Sequence, residues 1–177
     1  MQRINGYEPG SGSSRADKAL EGILEMLGFV PNFHKVLAIS PAAIDGFICM
    51  RQALQDVSLA PVEREIIALE VSRRMLCPYC IAAHSKFARM HNVSDDDLAA
   101  LLDGRPMSDQ RQALVQRAAQ MLWDTKGHLA DSDFRELSQA GLDHVTLTEI
   151  VAVIGWYVWA TMVNNVAVTD IDPYWME

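Results

Sequence analysis

The sequence predicts an all-α protein, and three observations carry that expectation. Apolar residues recur at three- and four-residue spacing along most of the chain. Capping residues or Pro precede these runs, and Gly or Asn follows several of them. No run of alternating β-branched residues between turn signals is long enough to argue for a sheet. With 177 residues the chain is long enough for one core, since a domain of this size buries roughly 70% of its unfolded surface. One cooperative helical domain is expected over residues 15–177, preceded by an arm over residues 1–14. Gly, Ser and Pro there offer too little burial to offset the entropy of ordering, so the arm reads as flexible.

A first helix is expected from about Ala16 to Leu27, where Leu20, Ile23, Leu24 and Leu27 form one stripe and Gly28 supplies a left-handed stop. A short helix around Phe33 to Ala38 follows. Ser40-Pro41 then gives an N-cap and a first-turn proline for a third helix with Ile44, Phe47, Ile48 and Leu54 on it. Pro61 starts a fourth, which must end near Leu76 because the residue before Pro78 is pushed out of the α region. The fifth runs from Pro78 to about His91, so the fourth and fifth cover about residues 61–91. Ser94 and three aspartates open a sixth in the favourable dipole sense, and Gly104 and Pro106 break the chain after it. Ser108 opens a seventh that ends near Trp123, and Asp131 or Ser132 opens an eighth that Gly141 stops. Thr146-Leu-Thr-Glu149 has the pattern of a capping box and opens the last helix, which runs to about Asn165 and is apolar nearly all round. Such a helix needs neighbours on several sides, in the monomer or between subunits.

The net charge is −8 and no basic run interrupts it, which argues against nucleic acid or anionic lipid as a partner. No apolar stretch of signal-peptide length follows Met1, so the cytoplasm is the expected compartment. The most apolar stretch, Ile150 to Val163, has 14 residues, short of the roughly 20 that span a bilayer. Three cysteines, Cys49, Cys77 and Cys80, do not make a secreted disulfide framework. A close pair in a cytosolic chain points instead to redox chemistry or metal.

That pair lies in Cys77-Pro78-Tyr79-Cys80, with Cys77 at the N-cap of the fifth helix. Unpaired N–H groups and the positive end of the helix dipole favour a thiolate there. Cys77, Cys80 and His84 fall within about 60° of one another around the helix, which brings an imidazole to the two sulfurs. Glu65 shares the apolar stripe of Val62, Ile66 and Leu69 on the preceding helix, and a carboxylate there is costly unless it is paired or protonated.

Blander readings compete for each of these residues. The cysteines would be inert core residues but for the proline, the cap position and the histidine on one face. Structural zinc on Cys77, Cys80 and His84 lacks an obvious fourth ligand beyond His91, Glu65 or Cys49. Glu65 alone reads as a solvated stripe-edge residue and His84 alone as a core histidine. His34, His91, His128 and His144 carry no special signal. Cys49 reads as a small buried hydrophobe, and Trp156, Tyr157 and Trp159 as packing residues. No cofactor and no resident metal are expected.

Cys-Pro-Tyr-Cys also occurs in glutaredoxins, but those need a strand before the motif and this chain has a helix. The wider pattern is more specific: Glu65, eleven residues, Cys77-x-x-Cys80, three residues, His84. It resembles the alkylhydroperoxidase D-like proteins of the carboxymuconolactone decarboxylase superfamily, with most of the likeness between Pro61 and Leu101. The resemblance implies a helical subunit assembled into trimers or hexamers. It also implies a peroxidase cycle, with Cys80 as the peroxidatic thiolate, Cys77 as the resolving cysteine, and Glu65 and His84 as proton relay. The dithiol would be restored by a dithiol reductant, which in the family can be a lipoyl-bearing protein. Alkylhydroperoxidase D itself has a second histidine where this chain has Tyr79, and the superfamily's decarboxylases lack the cysteine pair.

A thiol-dependent peroxidase acting on a small peroxide is therefore the leading expectation. A disulfide oxidoreductase with little peroxidase activity is the alternative, because an N-cap cysteine is usually the more exposed and acidic of its pair, which favours Cys77 as the attacking thiol. A zinc-binding or interaction module is the third.

Overall fold

The structure, a computed structural model, describes residues 2–176. Among them are α1 (Ser14–Leu27), α2 (Asn32–Ala38), α3 (Pro41–Ala53), α4 (Pro61–Arg74), α5 (Pro78–Met90), α6 (Asp95–Leu102), α7 (Gln110–Thr125), α8 (Asp131–Gln139) and α9 (His144–Ala167), with no strand. A 3-10 turn, Pro173–Trp175, closes the chain.

Local chemistry sets most helix ends where the sequence puts them. Ser40 Oγ accepts from Ala43 N at 3.3 Å and Ser94 Oγ from Asp97 N at 3.1 Å, each satisfying a first-turn N–H that has no helical partner. Gly28 stops α1 in the left-handed conformation, φ 77°. α4 ends less simply: Leu76 adopts φ 53°, and the turn it makes brings Cys77 N to Ser72 O at 3.0 Å. That turn leaves Cys77 extended, as a residue before proline must be, with α5 starting directly after it.

Two helix starts, those of α7 and α9, differ from the expectation. The cap of α7 is Asp109, whose Oδ1 accepts from Gln112 N at 2.8 Å, while Ser108 Oγ donates to Asp97 Oδ2 at 2.8 Å. α8 starts at Asp131 as expected, although no side chain caps it. Thr146 and Glu149 form no capping box: Asp143 caps α9, accepting from Thr146 N at 2.8 Å, and Glu149 accepts from Ser58 N at 2.9 Å. A stronger cap three residues upstream lengthens the helix to 24 residues. By length and composition alone α9 could cross a bilayer. In this fold it packs against α2, α3, α4, α5 and α7.

α4 is the other central element, packed on α5, α6, α7 and α9. Its successive residues serve different clusters. Ile67, Ala68 and Val71 join α7 and α9, Ile66 and Leu69 join Ala88, Leu98 and Leu101, and Glu65 turns toward α5. Glu65 is thus not one of an Ile66/Leu69 stripe, because a helix with neighbours on several sides has no single apolar face. The N-terminal arm is hydrogen-bonded to the body: Arg3 N reaches Ala167 O at 2.6 Å, Tyr7 N reaches Lys35 O at 2.8 Å, and Tyr7 Oη lies 3.1 Å from Asp17 Oδ1.

Candidate active site

The turn between α4 and α5 and the first turn of α5 hold the two cysteines. Both are free thiols and both are buried, at 1% exposure for Cys77 and 3% for Cys80. Cys77 caps α5, its Sγ accepting from Cys80 N at 3.3 Å, and Cys77 Sγ donates to Cys80 Sγ at 2.9 Å. Asn164 Nδ2 donates to the same Cys80 sulfur from α9 at 3.3 Å.

The hydrogen bond from Cys77, opposed by burial and joined by the His84 charge, Thr161 and Asn164, brings Cys80 down from 9.0 to about 6. Cys77 moves the other way: its bond to Cys80 and its burial push its thiol up. Cys80, not the N-cap Cys77 expected from the helix start, is therefore the more acidic thiol. The cap position gives Cys77 one N–H, but Cys80 collects the Cys77 thiol, Asn164 and a nearby cation, and donors to the charged form decide which sulfur ionises.

His84 stands one turn beyond Cys80, and its Nδ1 lies 2.7 Å from Glu65 Oε2. Burial alone would lower the imidazole, but the charge and hydrogen bond of Glu65 overcome it and the net shift is upward. The two shifts favour an imidazolium beside a thiolate over the neutral pair, and Nδ1 is the ring nitrogen held by Glu65. Tyr157 of α9 packs edge-on against the His84 ring at 4.9 Å. Burial, reinforced by the Glu65 charge, raises its phenol well above the ordinary value.

Tyr79, between the cysteines, turns its hydroxyl toward the C-terminal segment instead. Its Oη donates to Asp172 Oδ2 at 2.6 Å, and Trp175 Nε1 approaches the same hydroxyl at 3.2 Å. Asp172 also accepts from Asn32 N at 3.1 Å. The tyrosine therefore fastens the motif to the C-terminal segment and to the start of α2.

Above Cys80 lies a cavity of ≈ 250 Å³. Its walls include Phe33, Phe47, Phe87, Trp156 and Trp175, with Cys80, His84 and Glu65 also lining it. Among the described residues no three His, Cys, Asp or Glu side chains converge as a metal site, so Cys77, Cys80 and His84 do not gather the ligand set that a closed zinc site requires.

The model of the carboxymuconolactone decarboxylase family matches residues 41–120, a span that includes Glu65, both motif cysteines and His84. Over that segment, a little under half of its length, the chain is similar to the carboxymuconolactone decarboxylase family. Its fold is similar to that of an alkylhydroperoxidase AhpD core, a peroxidase-related protein from Ralstonia eutropha (TM-score 0.87, 20% identity, covering 98% of this chain and 94% of that one). A peroxidase-related protein from Silicibacter sp. is also similar (TM-score 0.79, 21% identity, 97% and 93% covered). So is the debrominase Bmp8 (TM-score 0.75, 17% identity, 98% and 94% covered). No curated protein matches the sequence.

The structure brings together all four residues of the motif: Cys77, Cys80, His84 and Glu65. It adds Asn164 and Thr161, which sequence reasoning passed over although two asparagines at the end of an apolar helix are a legible signal. Cys49, expected to be buried, is exposed on α3, because Ile44 and Phe47 take the buried face of that helix. His34, His91, Trp156 and Tyr157, expected to do nothing special or only to pack, all line the cavity.

Proposed function

We propose that the chain is a thiol-dependent peroxidase in which Cys80 is the peroxidatic cysteine, Cys77 the resolving cysteine, and His84 and Glu65 the proton relay. The observation that carries this reading is the asymmetry of the dithiol. One sulfur receives donors from Cys77 and Asn164 beside a cation, and the other keeps its proton. The Cys80 thiolate attacks the terminal oxygen of a hydroperoxide; the O–O bond breaks, Cys80 becomes a sulfenic acid, and the alkoxide leaves as an alcohol with the proton of His84. The Cys77 thiol then attacks the Cys80 sulfur, a disulfide forms, and the departing hydroxide is released as water. A separate dithiol, such as a lipoyl group, returns two electrons and two protons and becomes a disulfide itself. Burial of both sulfurs supports a small peroxide rather than a protein disulfide as the oxidant, which ranks the disulfide oxidoreductase reading second.

Single-turnover peroxide consumption by the reduced protein tests the assignment. Wild type should lose two thiols per peroxide and form a Cys77–Cys80 disulfide, and Cys80→Ser should lose the fast phase. A Cys80→Ser variant with the wild-type rate would refute it. Trimers or hexamers belong to the same proposal. Val151, Gly155, Met162 and Val166 are exposed on α9 within about 60° of arc, an apolar stripe suited to a second copy. Sedimentation equilibrium of wild type and Met162→Glu checks it, a monomeric wild type being the contrary result.

A further inference from the structure

We propose that the cavity over Cys80 takes an apolar molecule ending in a carboxylate, held by the guanidinium groups of Arg51 and Arg64. The peroxide reduced would then be a hydroperoxide of an apolar carboxylic acid; this substrate assignment rests on the peroxidase reading, whereas the carboxylate site does not.

Arg51 and Arg64 both line the cavity. Arg51 lies one turn before the exposed Gln55, and Arg64 one turn after the exposed Pro61, so the two occupy the solvent side of a cavity whose floor is the buried Cys80. Arg64 donates to Leu54 O at 2.7 Å. The Arg51 guanidinium makes no hydrogen bond or ion pair among the described residues. Burial lowers the Arg51 pKa, with Tyr157 opposing and Arg64 adding to the effect. A half-buried cation beside a second cation is an unfavourable arrangement that an entering anion relieves.

Two further polar groups of the lining are incomplete. Among the described residues Trp156 Nε1 and His34 Nδ1 are buried without partners, and the indole N–H is a donor without an acceptor. Glu65 is the one acidic side chain of the lining, and it is already engaged by His84. Two guanidinium groups, Arg51 and Arg64, therefore stand in the lining against one carboxylate that is already engaged. The aromatic walls supply the apolar half of the site. Small-molecule sites of this kind combine an apolar body with a few polar groups that fix orientation, and a guanidinium pairs with a carboxylate through parallel N–H···O bonds.

The test uses 4-isopropylbenzoate and 4-isopropylbenzamide, nearly equal in shape but not in charge, titrated into the reduced full-length protein with tryptophan fluorescence as readout. The carboxylate should bind about tenfold or more tightly than the amide, the range of a charged hydrogen bond. The preference should fall to within about threefold in Arg51→Met and recover in part in Arg51→Lys. Absence of carboxylate binding, equal affinity for the two probes, or a preference that survives in folded Arg51→Met would overturn the proposal. Neither probe carries a peroxide, so this result is independent of the chemistry at Cys80. The substrate class is then read from kcat/KM for cumene hydroperoxide and its para-carboxylate. A preference for the carboxylate that Arg51→Met removes supports it, and equal values overturn it. Failure of both peroxides would strike the peroxidase reading and leave the carboxylate site to the binding result.

Discussion

Replacing Cys77 by alanine should make Cys80 a weaker acid, and the size of the change follows from the contacts at its sulfur. The fall of Cys80 from 9.0 to about 6 corresponds to about 4 kcal/mol of preference for thiolate over thiol. The hydrogen bond from Cys77 is the largest favourable contribution, ahead of His84, Thr161 and Asn164, and it acts against burial. A hydrogen bond to a charged acceptor is worth about 1.5–3 kcal/mol, so its loss should raise the titration midpoint by about one to two pH units. At pH 7 the thiolate would drop from about nine-tenths of the population to between about a half and a tenth, with the peroxide reaction slowing in proportion. Iodoacetamide alkylation of reduced protein against pH measures the midpoint, in a Cys49→Ser background because Cys49 is exposed and would react as well. In Cys49→Ser the first inflection should lie near 6 and map to Cys80; in Cys49→Ser/Cys77→Ala it should move upward. A first inflection near 9, alkylation of Cys77 ahead of Cys80, or a midpoint unmoved by Cys77→Ala would refute the reasoning.

Other perturbations separate the remaining parts of the site. On the proposed mechanism His84→Gln removes the group that protonates the leaving alkoxide, so single-turnover peroxide consumption at pH 7 should fall by about 10²- to 10⁴-fold; Glu65→Gln should fall less, because His84 remains. Tyr79→Phe removes the buried bond to Asp172 and should destabilise the protein by about 1–3 kcal/mol, seen as a lower Tm, while peroxide consumption falls far less than in His84→Gln. His34 is lowered to about 3 by burial, with Arg51 adding to the effect. The folded state therefore holds it neutral while the unfolded chain protonates near 6.5, so its contribution to stability is present above about 6.5 and is lost as pH falls toward 3. Denaturant titrations at pH 7 and pH 4.5 should show a smaller acid loss in His34→Gln than in wild type.

The sequence by itself determined the helical class, because its apolar spacing and caps are local properties that each segment expresses without its neighbours. Cys77, Cys80 and His84 were legible for the same reason, since they share one helix and a periodicity of 3.6 residues brings them together. Glu65 was legible as a residue but not as a contact: only the packing of α4 against α5 sets its carboxylate 2.7 Å from His84. Which cysteine ionises was beyond sequence reading. The cap rule sees the N–H groups around Cys77, whereas the deciding donors are the Cys77 thiol and Asn164, a residue 84 positions from Cys80. The same holds for α9, where Asp143 is the cap and Glu149, which the sequence offers to a capping box, instead accepts from the distant Ser58. The cavity and the unpaired Arg51 belong wholly to the tertiary structure. Burial, and with it the cost of a charge without a partner, depends on which distant segments pack around a side chain, and no local spacing records that.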